Sequence, residues 1–194
     1  PTNPKNTWPA KVTEYHNVLC DEYTDDNGDV IWTTTNNPTL GGIAACQKSP
    51  KGFYEAVKCE GSGECESKKY TYQSIKTTQE TSSTVDKILL PGGIEPTPQE
   101  TLAANTQAAD APGCYMPRGK WVYVKMPLNS GTKNPLTGWY QVQDTGSALI
   151  KDAVENNLCH IDIYAGEGLN AAKDVAKNIN GQAQVYLIDG EPTA

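Results

Sequence analysis

The chain has 194 residues with a formal net charge of −7, a sequence pI near 4.8 and a mean hydropathy of −0.57. That acidity makes nucleic acid and anionic lipid poor partners, and no apolar run is long enough to cross a bilayer or to read as a signal peptide. With 37% hydrophobic residues, 10 Tyr, 4 Trp and a single Phe, the composition suits a β-rich globular protein with polar loops.

Residues 1 to 8 read as an extended lead-in, and Lys11-Val12-Thr13-Glu14-Tyr15 alternates as a first strand. Asp25-Asp26-Asn27-Gly28-Asp29 is turn chemistry between Tyr23 and Val30-Ile31-Trp32, which predicts a hairpin. It lacks the alternating ligand spacing and closing Glu of a calcium loop. Leu40 to Cys46 is a compact apolar run with paired glycines, expected as a buried strand or tight bend. Lys68 to Ile75 alternates as another strand. Residues 76 to 112 are dominated by Thr, Ser, Gln, Glu and Pro, with Ile88-Leu89-Leu90 as an anchor and Pro91-Gly92-Gly93 as a turn. They are expected to form a long loop excursion that walls a cleft.

From Cys114 the pattern sharpens. Tyr115 to Gly119 is a turn, and Lys120 to Met126 alternates as a strand. The run Trp139 to Gln143 delivers Asp144 at its end, and Ser147 to Asn157 fits a short helix. In Ile161-Asp162-Ile163-Tyr164 an aspartate stands mid-strand between β-branched neighbours, a costly placement unless the acid is paired or used. Apolar residues at helical spacing run from Gly168 to Asn180, and Gln184 to Ile188 closes the chain as a strand. Many short strands and few helices predict one small closed barrel over residues 1 to 194.

Six cysteines at 20, 46, 59, 65, 114 and 159 do not have zinc-site spacing, and their even count predicts three disulfides in an oxidising compartment. Cys59 and Cys65, around Glu60-Gly61-Ser62-Gly63-Glu64, are the pair expected to close a small loop. No Asn-X-Ser/Thr acceptor with a permitted middle residue occurs. His16 and His160 lack a third partner in sequence and read as structural or surface residues. No metal or cofactor is expected.

The succession Pro117-Arg118-Gly119, Val122-Tyr123-Val124, Asp144-Thr145-Gly146-Ser147-Ala148 and Ile161-Asp162-Ile163-Tyr164 resembles the three-aspartate domain. That domain occurs in bacterial stationary-phase cell-wall proteins and in relatives of membrane-bound lytic transglycosylase A. The resemblance covers roughly residues 110 to 188, with Val12 to Tyr15 a looser match at the start. It implies a mainly β fold, a six-stranded double-psi β-barrel with one or two short helices and the long excursion. It also implies cleavage of the glycan strands of peptidoglycan.

Carried over residue by residue, the family's second aspartate falls on Asp144 and its third on Asp162. Those two lie 18 residues apart, a longer interval than is usual for the family and one that an insertion ending near Cys159 accounts for. The nearest candidate for the first aspartate is Asp110, before Ala111-Pro112. Two carboxyls in a poorly solvated cleft can have one pKa raised, giving the general acid that glycosidic cleavage needs. Asp144, Asp162 and Asp110 are therefore the catalytic candidates, and the resemblance leaves open which is the acid. Tyr15, Trp139, Tyr140 and Tyr164 are candidates for stacking on sugar rings, and Thr145, Gly146 and Ser147 for contacts to substrate or carboxylate.

The implied activity is that of a secreted, monomeric muramidase acting on the bond between N-acetylmuramic acid and N-acetylglucosamine. Both lysozyme-type hydrolysis and lytic transglycosylation fit the residues. The alternatives are a non-catalytic expansin-like wall-binding barrel and a glycosidase for another β-1,4 glycan such as cellulose.

Overall fold

A computed structural model describes residues 6–34, 52–75, 82–90 and 93–192. Within them run strands β1 (Thr7–Leu19), β2 (Ser62–Cys65), β3 (Lys68–Thr71), β4 (Thr101–Ala103), β5 (Trp121–Lys125), β6 (Gly138–Asp144), β7 (Cys159–Glu167) and β8 (Ala183–Ile188). Helices α1 (Phe53–Glu60), α2 (Ser147–Glu155) and α3 (Gly168–Ala176) complete the regular structure. The chain gathers into two compact units, one drawn from Pro1–Tyr15, Leu89–Ala165 and Lys173–Ala194, the other from His16–Ile88 and Gly166–Ala172.

The first unit is a closed six-stranded barrel in the order β1-β7-β4-β6-β5-β8, with β8 returning to β1. Thr7 to Ala10 pair antiparallel with Tyr186 to Ala183 to close it. Around the ring β8–β5, β5–β6 and β4–β7 are antiparallel, while β4–β6 is parallel. Following those directions makes β1 and β7 the second parallel pair, and a mixed ring of this kind fits the expected double-psi barrel. Alternation sorts the side chains. Val122, Val124, Val142, Val185, Leu102, Ile161 and Ile163 are fully buried in the core, while Trp121 and Tyr123 are only partly covered. Each such apolar side chain contributes roughly 1.5–3 kcal/mol by leaving water.

Residues 76 to 112 are not one continuous excursion. The segment contains β4, which sits between β6 and β7. Its three residues, Thr101, Leu102 and Ala103, are all buried. The strand is too short, and its flanks too polar, for alternation to reveal it. Asn105 then organises the loop that follows. Its buried amide donates to Ala108 O and Cys114 O, and its carbonyl accepts from the Gln107 and Ala108 amides. A disulfide joins Cys114 to Cys159 at the head of β7.

In the second unit β2 runs parallel to the end of β1, with Val18 opposite Gly63 and Leu19 opposite Glu64, and β3 pairs antiparallel with β2. That register carries Cys20 and Cys65 side by side, and they form the disulfide. The expected Cys59–Cys65 bridge is therefore incorrect: strand pairing, not the short interval between them, decides Cys65's partner. Cys59 is also disulfide-bonded. Helix α1 packs Phe53 and Val57 over Gly63, where a Cβ would come within 2.5 Å of Val57 Cγ2. Trp32, Phe53, Tyr54 and Tyr70 complete this core with ring centroids 5.2 to 6.4 Å apart.

Other differences from the sequence reading are local. The first strand starts at Thr7, within the supposed lead-in. The Asp25–Asp29 turn forms, with Asp25 Oδ1 accepting from the Asn27 and Asp29 amides, but a single Thr24–Val30 bridge replaces the predicted hairpin. The strand predicted from Lys68 to Ile75 ends at Thr71. Helix α1 is additional to the predicted elements; its start is marked by Glu55, which accepts from the Gly52 amide in the manner of a capping residue. The Leu40–Cys46 run lies outside the described residues, as do Pro91 and Gly92 of the expected turn. Among the described residues no helix is long and apolar enough to cross a membrane.

Candidate functional site: two aspartates flanking Ala103

The site is built on three neighbouring barrel strands. Ala103 of β4 stands opposite Asp144 of β6 on one side and opposite Asp162 of β7 on the other; the register with β6 shifts between Leu102 and Ala103, where β6 carries the extra residue Gln143. Two strand spacings separate the aspartate backbones, roughly 9.6 Å. The methyl of Ala103, almost fully buried, leaves room between them. The 18-residue interval in sequence is thus taken up by α2 and its flanking turns, and the two acids still meet across one strand.

Asp144 ends β6 half-buried, and the chain turns at once. The Thr145 amide donates to Asp144 Oδ1 at 2.8 Å, and the Thr145 hydroxyl donates to Ala104 O at 2.9 Å. Gly146 precedes the first turn of α2 in extended backbone geometry. The hydroxyl of Thr145 is therefore committed to the turn, whereas Ser147 is exposed at the helix start.

Tyr15 and Tyr164 come to the same place. Both are nearly buried, 9% and 6% exposed, with ring centroids 5.2 Å apart, and they form one apolar cluster with Ala103 and with Leu149 of α2. Burial and the nearby carboxylates of Asp144 and Asp162 hold the Tyr15 hydroxyl far above its ordinary pKa, so it remains protonated. That hydroxyl faces Asp144 without closing a hydrogen bond of full geometry.

Burial pushes the Asp144 carboxyl above the ordinary aspartate range. The Thr145 amide, the Tyr15 hydroxyl and the Arg118 guanidinium pull the other way without cancelling it. Arg118 is brought there by the Pro117–Gly119 turn, whose Gly119 amide donates to Val142 O at 2.7 Å with φ at +83°. The result is a half-buried acid that retains its proton to higher pH than a free aspartate, beside a second carboxyl.

The remaining candidates are placed elsewhere. Asp110 is exposed on the turn closed by the Ala111 amide to Ala108 O, and it is not among the groups that shift Asp144 or Tyr15. Tyr140 points into the barrel, 2% exposed, its hydroxyl donating to Leu136 O at 3.0 Å, so its ring offers no face to a sugar. Trp139 lies on the opposite face of β6, 38% exposed and edge-on to Tyr123 at 4.9 Å. It is five residues from Asp144, roughly 16 Å along the strand. Ala103, Leu149 and Arg118 are site residues that the sequence reading did not select. Arg118 stood in a quoted motif, whereas nothing in the local pattern distinguishes Ala103. Two open depressions of the barrel unit, about 490 and 340 Å³, are lined by neither aspartate.

Comparison with known proteins places these residues in context. Residues 106–189 match the model of the 3D domain family, a span that includes Asp110, Asp144 and Asp162 but neither Tyr15 nor Ala103. A search of curated proteins gave no match. Among solved structures, Escherichia coli MltA with bound chitohexaose is similar over 99% of this chain and 74% of its own, at 12% identity and a TM-score of 0.51. A second MltA structure from E. coli aligns over 93% and 72% of the two chains at 11% identity and a TM-score of 0.48. The lytic transglycosylase LtgG of Burkholderia pseudomallei aligns over 91% and 70% at 13% identity and a TM-score of 0.45. At its TM-score the MltA–chitohexaose structure supports a shared fold. The family match thus identifies a 3D domain over residues 106–189, within a closed mixed barrel that is similar in fold to MltA.

Proposed function

We propose that the protein cleaves the glycan strands of peptidoglycan as a lytic transglycosylase, with Asp144 as the acid that protonates the departing glycosidic oxygen. One observation carries this reading: Asp144, in a setting whose burial raises its pKa, lies across Ala103 from Asp162. The names of the structural neighbours, a lytic transglycosylase and an MltA bound to chitohexaose, supply the substrate class.

The chemistry balances on one side chain. Asp144 donates its proton to the leaving O4 as the C1–O4 bond breaks, and an oxocarbenium-like sugar develops. The carboxylate left behind takes the proton of that sugar's own 6-hydroxyl as O6 bonds to C1. Asp144 is thereby reprotonated, no water is consumed, and the product is a 1,6-anhydro sugar. Asp162, across Ala103 at two strand spacings, is the second acid available to favour the positive charge that develops at C1. Tyr15 donates toward Asp144 once the acid has lost its proton. The disulfides suit an oxidising compartment, and we assign the protein to the cell envelope or exterior.

The test is cleavage of purified peptidoglycan by the wild type and by Asp144→Asn, with mass spectrometry of the fragments. The expected outcome is anhydro-ended fragments and a rate loss of about 10²–10⁴ in D144N. Reducing-end products would replace transglycosylation by hydrolysis, and full activity in D144N would remove Asp144 from the chemistry.

A further inference from the structure

The outer face of the barrel across β6, β5 and β8 carries a row of aromatic side chains that the reaction described above does not use. Val122, Val124, Val142 and Val185 fill the core, so alternation turns the residues between them outward. Trp139 of β6 stands opposite Tyr123 of β5, and Tyr123 stands opposite Tyr186 of β8. The rings follow that pairing, with centroids 4.9 Å apart between Tyr123 and Trp139 and 6.4 Å apart between Tyr123 and Tyr186. Tyr123 and Tyr186 are partly covered, and Trp139 is 38% exposed. The row crosses the strands at about 4.8 Å per step and begins roughly 16 Å along β6 from Asp144.

The row opens beside Tyr186 into a depression of about 490 Å³, whose lining includes Pro9, Lys125, Pro127, Gln182 and Gln184. Neither the three rings nor the lining of the depression includes a carboxylate, and Lys125 is the one charge there, in a chain of net charge −7. On β1 the open face ends at Pro9. Lys11, the next residue on that face, reaches Asp152 of α2 at 3.6 Å, and Asp152 accepts from Asn156 Nδ2 at 2.8 Å and faces His160 Nδ1 at 2.7 Å. The Tyr123 ring is inclined at 63° to Trp139 and at 47° to Tyr186, so the three rings form a twisted series and not one plane. A flat crystalline polysaccharide needs coplanar rings, whereas the sugars of a single strand turn about each glycosidic bond and can meet rings at different tilts. A second copy of the chain is a poorer occupant. Aromatic side chains bury roughly 150–250 Å² each, so three rings already partly covered fall short of the roughly 800 Å² that each partner of a stable complex contributes.

We propose that this outer face holds an uncleaved glycan strand of peptidoglycan, separately from the carboxylate site. Trp139, Tyr123 and Tyr186 stack on the apolar C–H faces of its sugars, and the Gln182 and Gln184 amides meet N-acetyl and hydroxyl groups. Lys125 meets a carboxylate of the lactyl or peptide substituents, which complements the one charge of the face. The surface retains the protein on the wall polymer between cleavage events. The choice of peptidoglycan rests on the functional reading above, but retention on the polymer is measured without turnover.

The experiment measures retention on purified peptidoglycan sacculi and on microcrystalline cellulose, and titrates chitohexaose while following the Trp139 indole N–H signal by ¹⁵N NMR. Wild type is compared with Trp139→Ala, Tyr186→Ala, Tyr186→Phe and Lys125→Gln, each checked for folding by its melting temperature. W139A and Y186A should each weaken retention on sacculi about tenfold in Kd, the scale of one aromatic contact, and Y186F, which keeps the ring, should bind as wild type does. K125Q should weaken retention on sacculi and leave the affinity for uncharged chitohexaose at the Trp139 signal unchanged. Should Y186A fail to fold, W139A decides the matter. Unchanged retention in folded W139A overturns the proposal, as does retention on cellulose equal to that on sacculi. A concentration-dependent dimer in sedimentation that W139A abolishes would give the face to a second copy and overturn it too. Wild type that is retained on sacculi yet releases no fragments would end the functional reading and leave the surface standing. Wild type that cleaves them yet is retained no better than W139A would end the surface alone.

Discussion

The Tyr15 hydroxyl, from the first barrel strand, faces the Asp144 carboxyl at the end of β6. Burial raises Asp144, while the Tyr15 hydroxyl partly counters the rise by stabilising the carboxylate. Removing the hydroxyl and keeping the ring, Tyr15→Phe, should therefore raise Asp144 further. A general acid is active while protonated, so the alkaline limb of the pH–rate profile should move to higher pH in Y15F. The rate at the optimum should drop by about tenfold or less, the scale of one modest hydrogen bond. A limb that stays in place, or moves to lower pH, would remove Tyr15 from the tuning of the acid.

Asp144 and Asp152 should have opposite effects on stability. For Asp144 the folded pKa lies above the unfolded one, chiefly through burial, so the native state holds the proton more tightly. Its contribution to stability is present below the unfolded pKa and is lost as pH rises through the folded pKa. Asp144→Asn should thus melt higher than wild type at pH 7, with the difference shrinking toward about pH 3, near where aspartates protonate. Asp152 is depressed, so its contribution is present above the unfolded pKa and lost as pH falls through the folded one. Asp152→Asn should melt lower than wild type at pH 7 and converge with it in acid. Thermal scans of both variants at the two pH values check the signs together.

The legible and illegible parts of this site differ in a physical way. Asp144 and Asp162 could be selected because a carboxylate at a strand end or mid-strand violates the local pattern, and such violations mark sites. Strands β5, β6 and β8 announce themselves by alternation. β4 does not, because three residues cannot display a period, yet it supplies the residue that both aspartates flank. Tyr15 could be chosen only through a loose likeness at the start of the chain, since its nearness to Asp144 is created by barrel closure across more than a hundred residues. Trp139 and Tyr140 show the converse limit. Their place next to a motif in sequence put one inside the barrel and the other on its outer face, as strand alternation requires. Cys65 chose Cys20 over Cys59 for the same non-local reason.

The Cys114–Cys159 disulfide closes a loop of 45 residues and anchors the start of β7, two residues before Ile161 and three before Asp162. Chain-entropy arguments give a bridge of this span about 4 kcal/mol, with 2–4 kcal/mol typical in practice. Cys114→Ala with Cys159→Ala should lower the denaturant midpoint accordingly. If β7 moves with its anchor, the Asp144 titration midpoint should shift as well. Urea unfolding at fixed pH measures the first effect and carboxyl NMR the second. A double variant as stable as wild type would show the bridge to be dispensable.

Gly113 tests the seat of α2. Its amide donates to Ala153 O at 3.0 Å, and an added Cβ would lie 2.8 Å from both Ala153 Cα and Leu158 O. Those are backbone atoms, so no side chain can rotate away to make room. Gly113→Ala must displace either the loop that Asn105 organises or the C-terminal half of α2, which carries Asp152 and Ala153. The cost should be roughly 1–3 kcal/mol, the usual range for forcing a methyl into a packed interior. Because α2 also packs Leu149 against Tyr15, Ala103 and Tyr164, activity should fall by more than the folded fraction accounts for. Melting temperature and kcat measured on the same preparation separate the two effects. A variant that loses stability and keeps full kcat per folded molecule would show that the loop yields and the helix stays in place.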